Sequence, residues 1–470
     1  MTILYNLIMI NLLLKSLKQQ WAALINHGHS THRYISLEIA LEDNFPIAAA
    51  ESVEHFFLNK STEQLRLLGL GNLLTISATG EQRFDVLKSR FKKLLPEWQN
   101  RQTVPPLAFI AFAFDENDSM SDDWQDLPNS LLKIPQILLK QTTAGKTLQV
   151  NLTLESATLK DPFEKVSVLL SDYLADISLH QQKPLKPGIK KHSIQPQPLT
   201  ELNDRQQWNT LSLDALEAIH KGRFDKLVTS RQQWVQLEKP ASINQLTQKL
   251  ISHYPACSIL SFFSADKKLI AASPERLISL QHPIIKSDAI GGTILRPSAD
   301  QNGQQQILHT IDDNPEYHKL RKEHAFIAQD IYQRLDPLCH SLKMPCSPYL
   351  MKLYNMYHLE TPVQGILQDQ FDLFNVIEAL HPTPAIAGFP ARQARKWLLS
   401  NETRQRGWYT GAFGWLDADM NGELSVMLRC ALFNQHQAHL FAGAGLIDES
   451  DPEIEWQETE LKMQTILEML

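Results

Sequence analysis

A chain of 470 residues, 43% hydrophobic and 21% charged, is long enough for one large α/β body or for two or three domains, and it buries a substantial core without staples. A formal charge of -7 and the lack of a long basic run argue against a nucleic-acid binder, so the expected partner is a small molecule. Cys257, Cys339, Cys346 and Cys430 are scattered without zinc or redox spacing, which predicts reduced thiols in a cytoplasmic protein.

The opening MTILYNLIMINLLLK is apolar from Ile3 to Leu14. That run is too short to span a bilayer, carries Asn6 and Asn11, and lacks the cationic flank and cleavage pattern of a secretory signal. It reads as a packed helix or strand, or as the product of a mis-assigned start codon, and no membrane partner is expected. Then ISLEIA at 35, LLTISAT at 73, LAFIAFAF at 107 and TLQVNLTLESA at 147 read as strands among helical patterns. His27, His29 and His32 have no carboxylate or cysteine pair beside them and read as loop histidines.

From Gln181 to Thr200 the chain is rich in Pro, Lys and Gln and loses apolar periodicity. The expected organisation is therefore an N-terminal α/β region over 1–180, a linker over 181–200 and a second region over 201–470. Trp208, Leu211, Leu216 and Ile219 form a helical stripe that Gly222 ends, and FDKLVTSRQQWVQ begins a strand. Lys226, near its start, either points to solvent or faces a desolvated pocket beside other cations, where its pKa falls and it serves as a base. CSILSFFSADKKLIAASPERLISL reads as a hairpin leading to Glu275, which is either a turn residue paired with Arg276 or a general acid. After it, Gly291, Gly292 and Thr293 in AIGGT mark a place where backbone approaches a ligand.

The helix from about Glu316 to Leu338 carries Glu323 in phase with its apolar stripe of Leu320, Ile327, Ile331 and Leu335. A carboxylate there is costly unless it meets a basic side chain or a metal. LHPTPAIAGFP is locked by proline and glycine and pins His381 and Thr383, as plain turn chemistry or as part of a site. In RGWYTGAFG, Tyr409 lies between glycines, while Arg429 sits inside the apolar VMLRCALF, where an arginine needs an anion.

The most chemically loaded run is the last, FAGAGLIDESDPEIEWQETELK from Phe441 to Lys462. Gly443 and Gly445 bare the backbone for an anionic guest, and Asp451 with Pro452 reads as the N-cap and first residue of a helix. Its apolar stripe is Trp456, Thr459, Met463, Ile466, Leu467 and Leu470, with Glu455, Glu458 and Lys462 on one flanking edge. These acids are either a first-turn preference with an exposed Glu458–Lys462 pair or a hard-cation site.

Taken in order, FDKLVTSR, SPERL, AIGGT, RKEH, HLET, LHPTPAIAGFP, RGWYTGAFG, VMLRCALF and AGAGLIDESDPEIEWQETELK resemble the motifs of the chorismate-utilising enzymes. That family includes isochorismate synthases, salicylate synthases and the chorismate-binding components of anthranilate and aminodeoxychorismate synthases. The resemblance covers residues 200–470. More loosely, FFLNKSTEQLRLLGLG and PLAFIAFAFD followed by Trp124 resemble the N-terminal part of isochorismate synthases, with Ala and Ile replacing the glycines usual before FAFD.

Periodicity alone gives only mixed α/β. The resemblance implies a single large body of α+β type, with two antiparallel sheets packed face to face, helices outside, and the site between the sheets. It implies that Lys226 activates a water and Glu275 protonates the departing ring hydroxyl, a hydration with allylic rearrangement. For both to work near neutrality, Glu275 should be raised and Lys226 lowered by burial and neighbours. The resemblance further implies Mg²⁺ held by Glu323 and Glu458, with Glu455 directly or through water, against the ring carboxylate of chorismate. Tyr409, Arg429 and the Gly443 and Gly445 amides are expected on the enolpyruvyl carboxylate. Lys462, His381 and Thr293 are expected at the metal end, and Gly292 and Thr383 complete the substrate-binding set.

An anthranilate synthase would favour glutamine at the Lys226 position, and aminodeoxychorismate synthases often carry lysine at the Gly291 position. The expectation is thus a Mg²⁺-dependent, cytoplasmic isochorismate synthase for menaquinone or siderophore synthesis, monomeric or homodimeric, with no amidotransferase subunit. A salicylate synthase shares Lys226 and Glu275, and a non-catalytic chorismate-binding or scaffold protein is the other alternative, although no reactive position is lost. Two departures concern specificity: KLVTSR stands for the usual KVVLAR, and ILRPSAD replaces the common PRG turn after Thr293.

Overall fold

The runs rich in β-branched and aromatic residues become strands of two antiparallel sheets, eleven-stranded and ten-stranded among the described residues. The computed structural model describes residues 2–25, 32–98, 103–154, 161–181, 198–264, 267–295, 317–354, 356–434 and 436–470. Early and late strands share both sheets. His55–Lys60 pairs with Ser258–Ser264 in the first, and Ala108–Phe112 pairs with Ala412–Leu416 in the second. Most of the expected linker, residues 182–197, lies outside the described residues, as do His27, His29 and Glu316.

The sheets meet through an apolar layer in which Phe56 stacks on Phe109 with ring centroids 4.5 Å apart, joined by Leu260, Trp408 and Phe413. Helices cover the outer faces. Thr2–Ile25, Glu164–Gln181, Ile243–His253 and Pro452–Leu467 bring Leu17, Tyr173, Leu246 and Met463 to the first sheet. Arg83–Leu94, His318–Leu335 and Leu373–Leu380 bring Leu87, Ile331 and Ile377 to the second. The apolar N-terminal run is therefore a packed helix, with Ile10, Leu14 and Leu17 buried. Among the described residues no helix is long and apolar enough to cross a membrane.

The final helix begins as its sequence dictates: the Asp451 carboxylate accepts from the N–H groups of Glu453 and Ile454 at 2.7 and 3.3 Å, and Pro452 follows. That start fixes the phase in which Trp456, Thr459, Met463 and Ile466 turn inward.

Two crossings between the sheets position the chemistry. Ser273 ends a strand of the first sheet and Arg276 begins one of the second, which leaves Pro274 and Glu275 in the corner. Val426 ends a strand of the second sheet and Cys430 begins one of the first, which leaves Leu428 and Arg429 in another. The corners are tied together, since the Val426 N–H donates to the Glu275 carbonyl at 3.0 Å and the Ala272 N–H to the Arg429 carbonyl at 3.1 Å. Arg429 turns its corner at φ 48°, a left-handed conformation that a bulky non-glycine residue adopts only when its surroundings compel it.

Candidate active site

Where the corners meet, a cavity of about 700 Å³, its open mouth included, lies between the sheets. Both crossings contribute to its wall, Glu275 from one and Arg429 from the other. The strand pair Lys226–Gln236 and Gln437–Leu446 supplies Lys226, Gly443 and Gly445; Gly292 and Thr293 come from the facing sheet, Glu323 from one helix, and Glu458 and Lys462 from the last. Tyr409 completes the expected residues found there.

Lys226 is 1% exposed, so it faces the pocket and not solvent, and its nearest charged contact is an anion, Glu323 Oε1 at 3.0 Å. Glu275 is equally sequestered. Burial pushes its carboxyl up to about 8, with Asp288 adding to the rise and Lys226 and Lys462 opposing it. At neutral pH it therefore keeps its proton. The Thr383 hydroxyl draws the value down a little, although Thr383 Oγ1 and Glu275 Oε1 each lack a hydrogen bond of full geometry. Thr383 thus stands behind Glu275 rather than in the cavity wall.

The glycines do more steric work than the sequence suggested. A Cβ on Gly445 would run into Glu323 Oε1 and come within 2.8 Å of Lys226 Cε; one on Gly443 would come within 3.1 Å of the Tyr409 hydroxyl. Their bareness makes room for the Lys226–Glu323 pair and for Tyr409.

Three glutamates and three lysines occupy one end. Besides Lys226–Glu323, Lys462 Nζ is 2.7 Å from Glu458 Oε1 and 2.8 Å from the Gly443 carbonyl, and Lys319 pairs with Glu455. Burial pushes the Glu455 carboxyl up to about 7, and the charges of Glu458 and Glu323 add to this against the pull of Lys319. Glu458 also feels a burial penalty, but the Lys462 ammonium and the Thr293 hydroxyl, 2.9 Å away, bring it below the ordinary carboxylate value. Three carboxylates that act on one another's charge are the donor chemistry a hard divalent cation prefers. Among the described residues, however, no three acidic, histidine or cysteine side chains stand together as a ligand group. Each glutamate leans toward its lysine instead, and Glu455 lies behind the cavity wall.

At the other end Arg429 is 5% exposed and forms no ion pair among the described residues. Its Nη2 donates to His358 Nε2 at 2.6 Å and lies 3.2 Å from Met356 Sδ, while its buried Nη1 has no partner. Burial lowers its pKa. Burial also pushes His358 down to about 3, helped by the Arg429 and Lys462 charges, so the ring is neutral and donates from Nδ1 to the Gly292 carbonyl at 3.3 Å. A guanidinium desolvated without an anion costs several kcal/mol, which an anionic ligand would offset.

His358 was not singled out from sequence, although HLET was noticed; its position on the buried side of the Met356–Leu367 strand is what brings it to the wall. His381 needs correcting in the opposite sense. The resemblance implied a place at the metal end, but its Nε2 bonds the Phe114 carbonyl at 3.0 Å and its half-buried ring packs edge-on to Phe112, outside the cavity wall.

The sequence model of a family described as "Chorismate binding enzyme" matches residues 19–470. The chain is 27% identical over 425 residues to isochorismate synthase MenF of Bacillus subtilis, spanning 88% of this chain and 87% of that one. It is 28% identical over 408 residues to the salicylate biosynthesis isochorismate synthase of Pseudomonas aeruginosa, spanning 87% and 83%. The structure of the menaquinone-specific isochorismate synthase MenF of Escherichia coli superposes with a TM-score of 0.73 at 23% identity, covering 96% of this chain and all of that one. Anthranilate synthase component I of Streptococcus pneumoniae superposes at 0.63 with 17% identity, covering 86% and 92%. These superpositions establish the fold: two antiparallel sheets with outer helices.

Proposed function

Because the chain belongs to the chorismate-binding enzyme family, we propose that it is an isochorismate synthase that hydrates chorismate with loss of its ring hydroxyl. The observation that carries the reading is the placement of Lys226 and a proton-bearing Glu275 in one cavity with an arginine that forms no ion pair among the described residues. In this reading Lys226, once neutral, takes a proton from water as its oxygen bonds to the ring. The ring double bond shifts, and the hydroxyl leaves as water with the Glu275 proton. Acid and base thus exchange protonation states across the substrate, and the net composition of the ring is unchanged.

Arg429 and Tyr409 hold the enolpyruvyl carboxylate, and the packing of the corner fixes the guanidinium before substrate arrives. Glu323, Glu458 and Glu455 would hold Mg²⁺, which supplies positive charge for the ring carboxylate. Lys462 and Thr293 orient Glu458 for that role. Position 291 carries glycine, where a Cβ would run into Ile327 Cδ1, so this chain has no side-chain amine there to compete with water. We assign the enzyme to the cytoplasm on its four free cysteines.

The test is to incubate the pure protein with chorismate and Mg²⁺, with and without ammonia, and to separate the products. Isochorismate alone is expected. Salicylate, anthranilate or unchanged chorismate would each replace this reading with one of its alternatives.

A further inference from the structure

Of the three lysines at the acidic end, Lys226 and Lys462 line the cavity and have parts in the chemistry, but Lys319 does neither. It stands in the first turn of the His318–Leu335 helix, four residues before Glu323 and on the same face, and reaches across to Glu455 in the first turn of Pro452–Leu467. The Glu455 side chain is 3% exposed while that of Lys319 is 24% exposed, so the ammonium approaches from the solvent side. A fixed lysine beside a buried glutamate would ordinarily be a structural pair. Here the glutamate also feels Glu458 and Glu323, and the same three carboxylates act on Lys319.

We propose that Lys319 and a divalent cation compete for Glu455: the ammonium balances the carboxylate cluster and must swing toward solvent before the cation is held there. The inference rests on the metal reading given above and assigns the cluster a built-in competitor. An ammonium and a divalent ion cannot share one carboxylate oxygen without strong repulsion at close range. Lys319 therefore sets how much cation the protein requires and takes no part in the reaction itself.

Full-length wild type and variants should be titrated with Mn²⁺ in the absence of chorismate, with free Mn²⁺ read by electron paramagnetic resonance. Lys319→Met and Lys319→Gln should each bind Mn²⁺ roughly tenfold more tightly, as expected for removing a unit charge from direct contact. Lys319→Arg, which keeps the charge, should match wild type. So should Lys322→Met, whose ammonium pairs with Asp448 at 2.8 Å instead. A purely structural pair predicts the reverse sign, because losing it would loosen Glu455 and weaken binding. Unchanged or weaker Mn²⁺ affinity in both Lys319→Met and Lys319→Gln overturns the proposal. A wild type that makes isochorismate yet binds no Mn²⁺ overturns it together with the metal assignment, while leaving the water and hydroxyl chemistry standing.

Discussion

At one end of the cavity Glu323, Glu455 and Glu458 each meet a lysine, whereas at the other Arg429 meets a neutral histidine and a thioether. The acidic end is balanced by ion pairs, whereas the arginine of the basic end forms none among the described residues. The first arrangement gives every carboxylate a counter-charge, although burial and the neighbouring acids still push Glu455 up to about 7. The second is held in place by its corner, by backbone bonds to the neighbouring crossing and by a left-handed φ. Two anionic groups on one substrate thus meet two different devices: a cluster that takes a cation first, and a guanidinium already aimed.

The sharpest way to break that comparison is to remove the reactive group of the acidic end, the ammonium paired with Glu323. Lys226→Ala should lower kcat by roughly a thousandfold, the scale of a lost general base, while Mg²⁺-dependent chorismate binding by equilibrium dialysis persists. Normal turnover would strip Lys226 of its assignment. Next, Arg429→Met should reduce kcat/KM roughly a hundredfold, as for a lost charged hydrogen bond of about 1.5–3 kcal/mol. A change confined to Mg²⁺ affinity would mean that the two ends had been assigned the wrong way round.

A smaller effect is expected at Gly445, where an added Cβ would push Lys226 and Glu323 apart. Gly445→Ala should cost roughly tenfold in kcat with thermal stability little changed, the signature of misplacement. Glu275 gives a pH test. Its carboxyl sits near 8 and must be protonated to act, so kcat/KM should decline as pH rises through about 8. A profile without a descending limb from about pH 7 to 10 would contradict the acid role. Smallest of all, Asp451→Ala should lower stability by about 1 kcal/mol through its lost cap and leave product identity alone, as thermal melts and product analysis would register.

Much of the site was readable because motifs fix residue types at corners and helix starts: Glu275 follows a proline, Glu458 lies in a helix capped by Asp451, and Lys226 opens a strand. What escaped had physical reasons. The strand His55–Lys60 is buried along its whole length, so it shows no alternation from which a strand could be read. Lys319 in a first helical turn looks like any exposed lysine until the last helix is packed against it. His381 and Thr383 sit in a loop whose rigidity was legible but whose direction was not, and packing against Phe112 turned the histidine inward. Gly443 and Gly445 read in the sequence as bare amides for a ligand, while the steric demand of Glu323 and Lys226 appears only in three dimensions.

The claim beneath all of this is that solvent water attacks the ring on one side of the cavity while the original hydroxyl departs on the other. Chorismate turned over briefly in oxygen-18 water tests it most directly, with the product analysed by mass spectrometry. The account predicts isochorismate carrying one solvent oxygen in its new hydroxyl, and loss of that product in Lys226→Ala. Unlabelled isochorismate from the wild-type protein would contradict it, since the hydroxyl would then have moved without water entering.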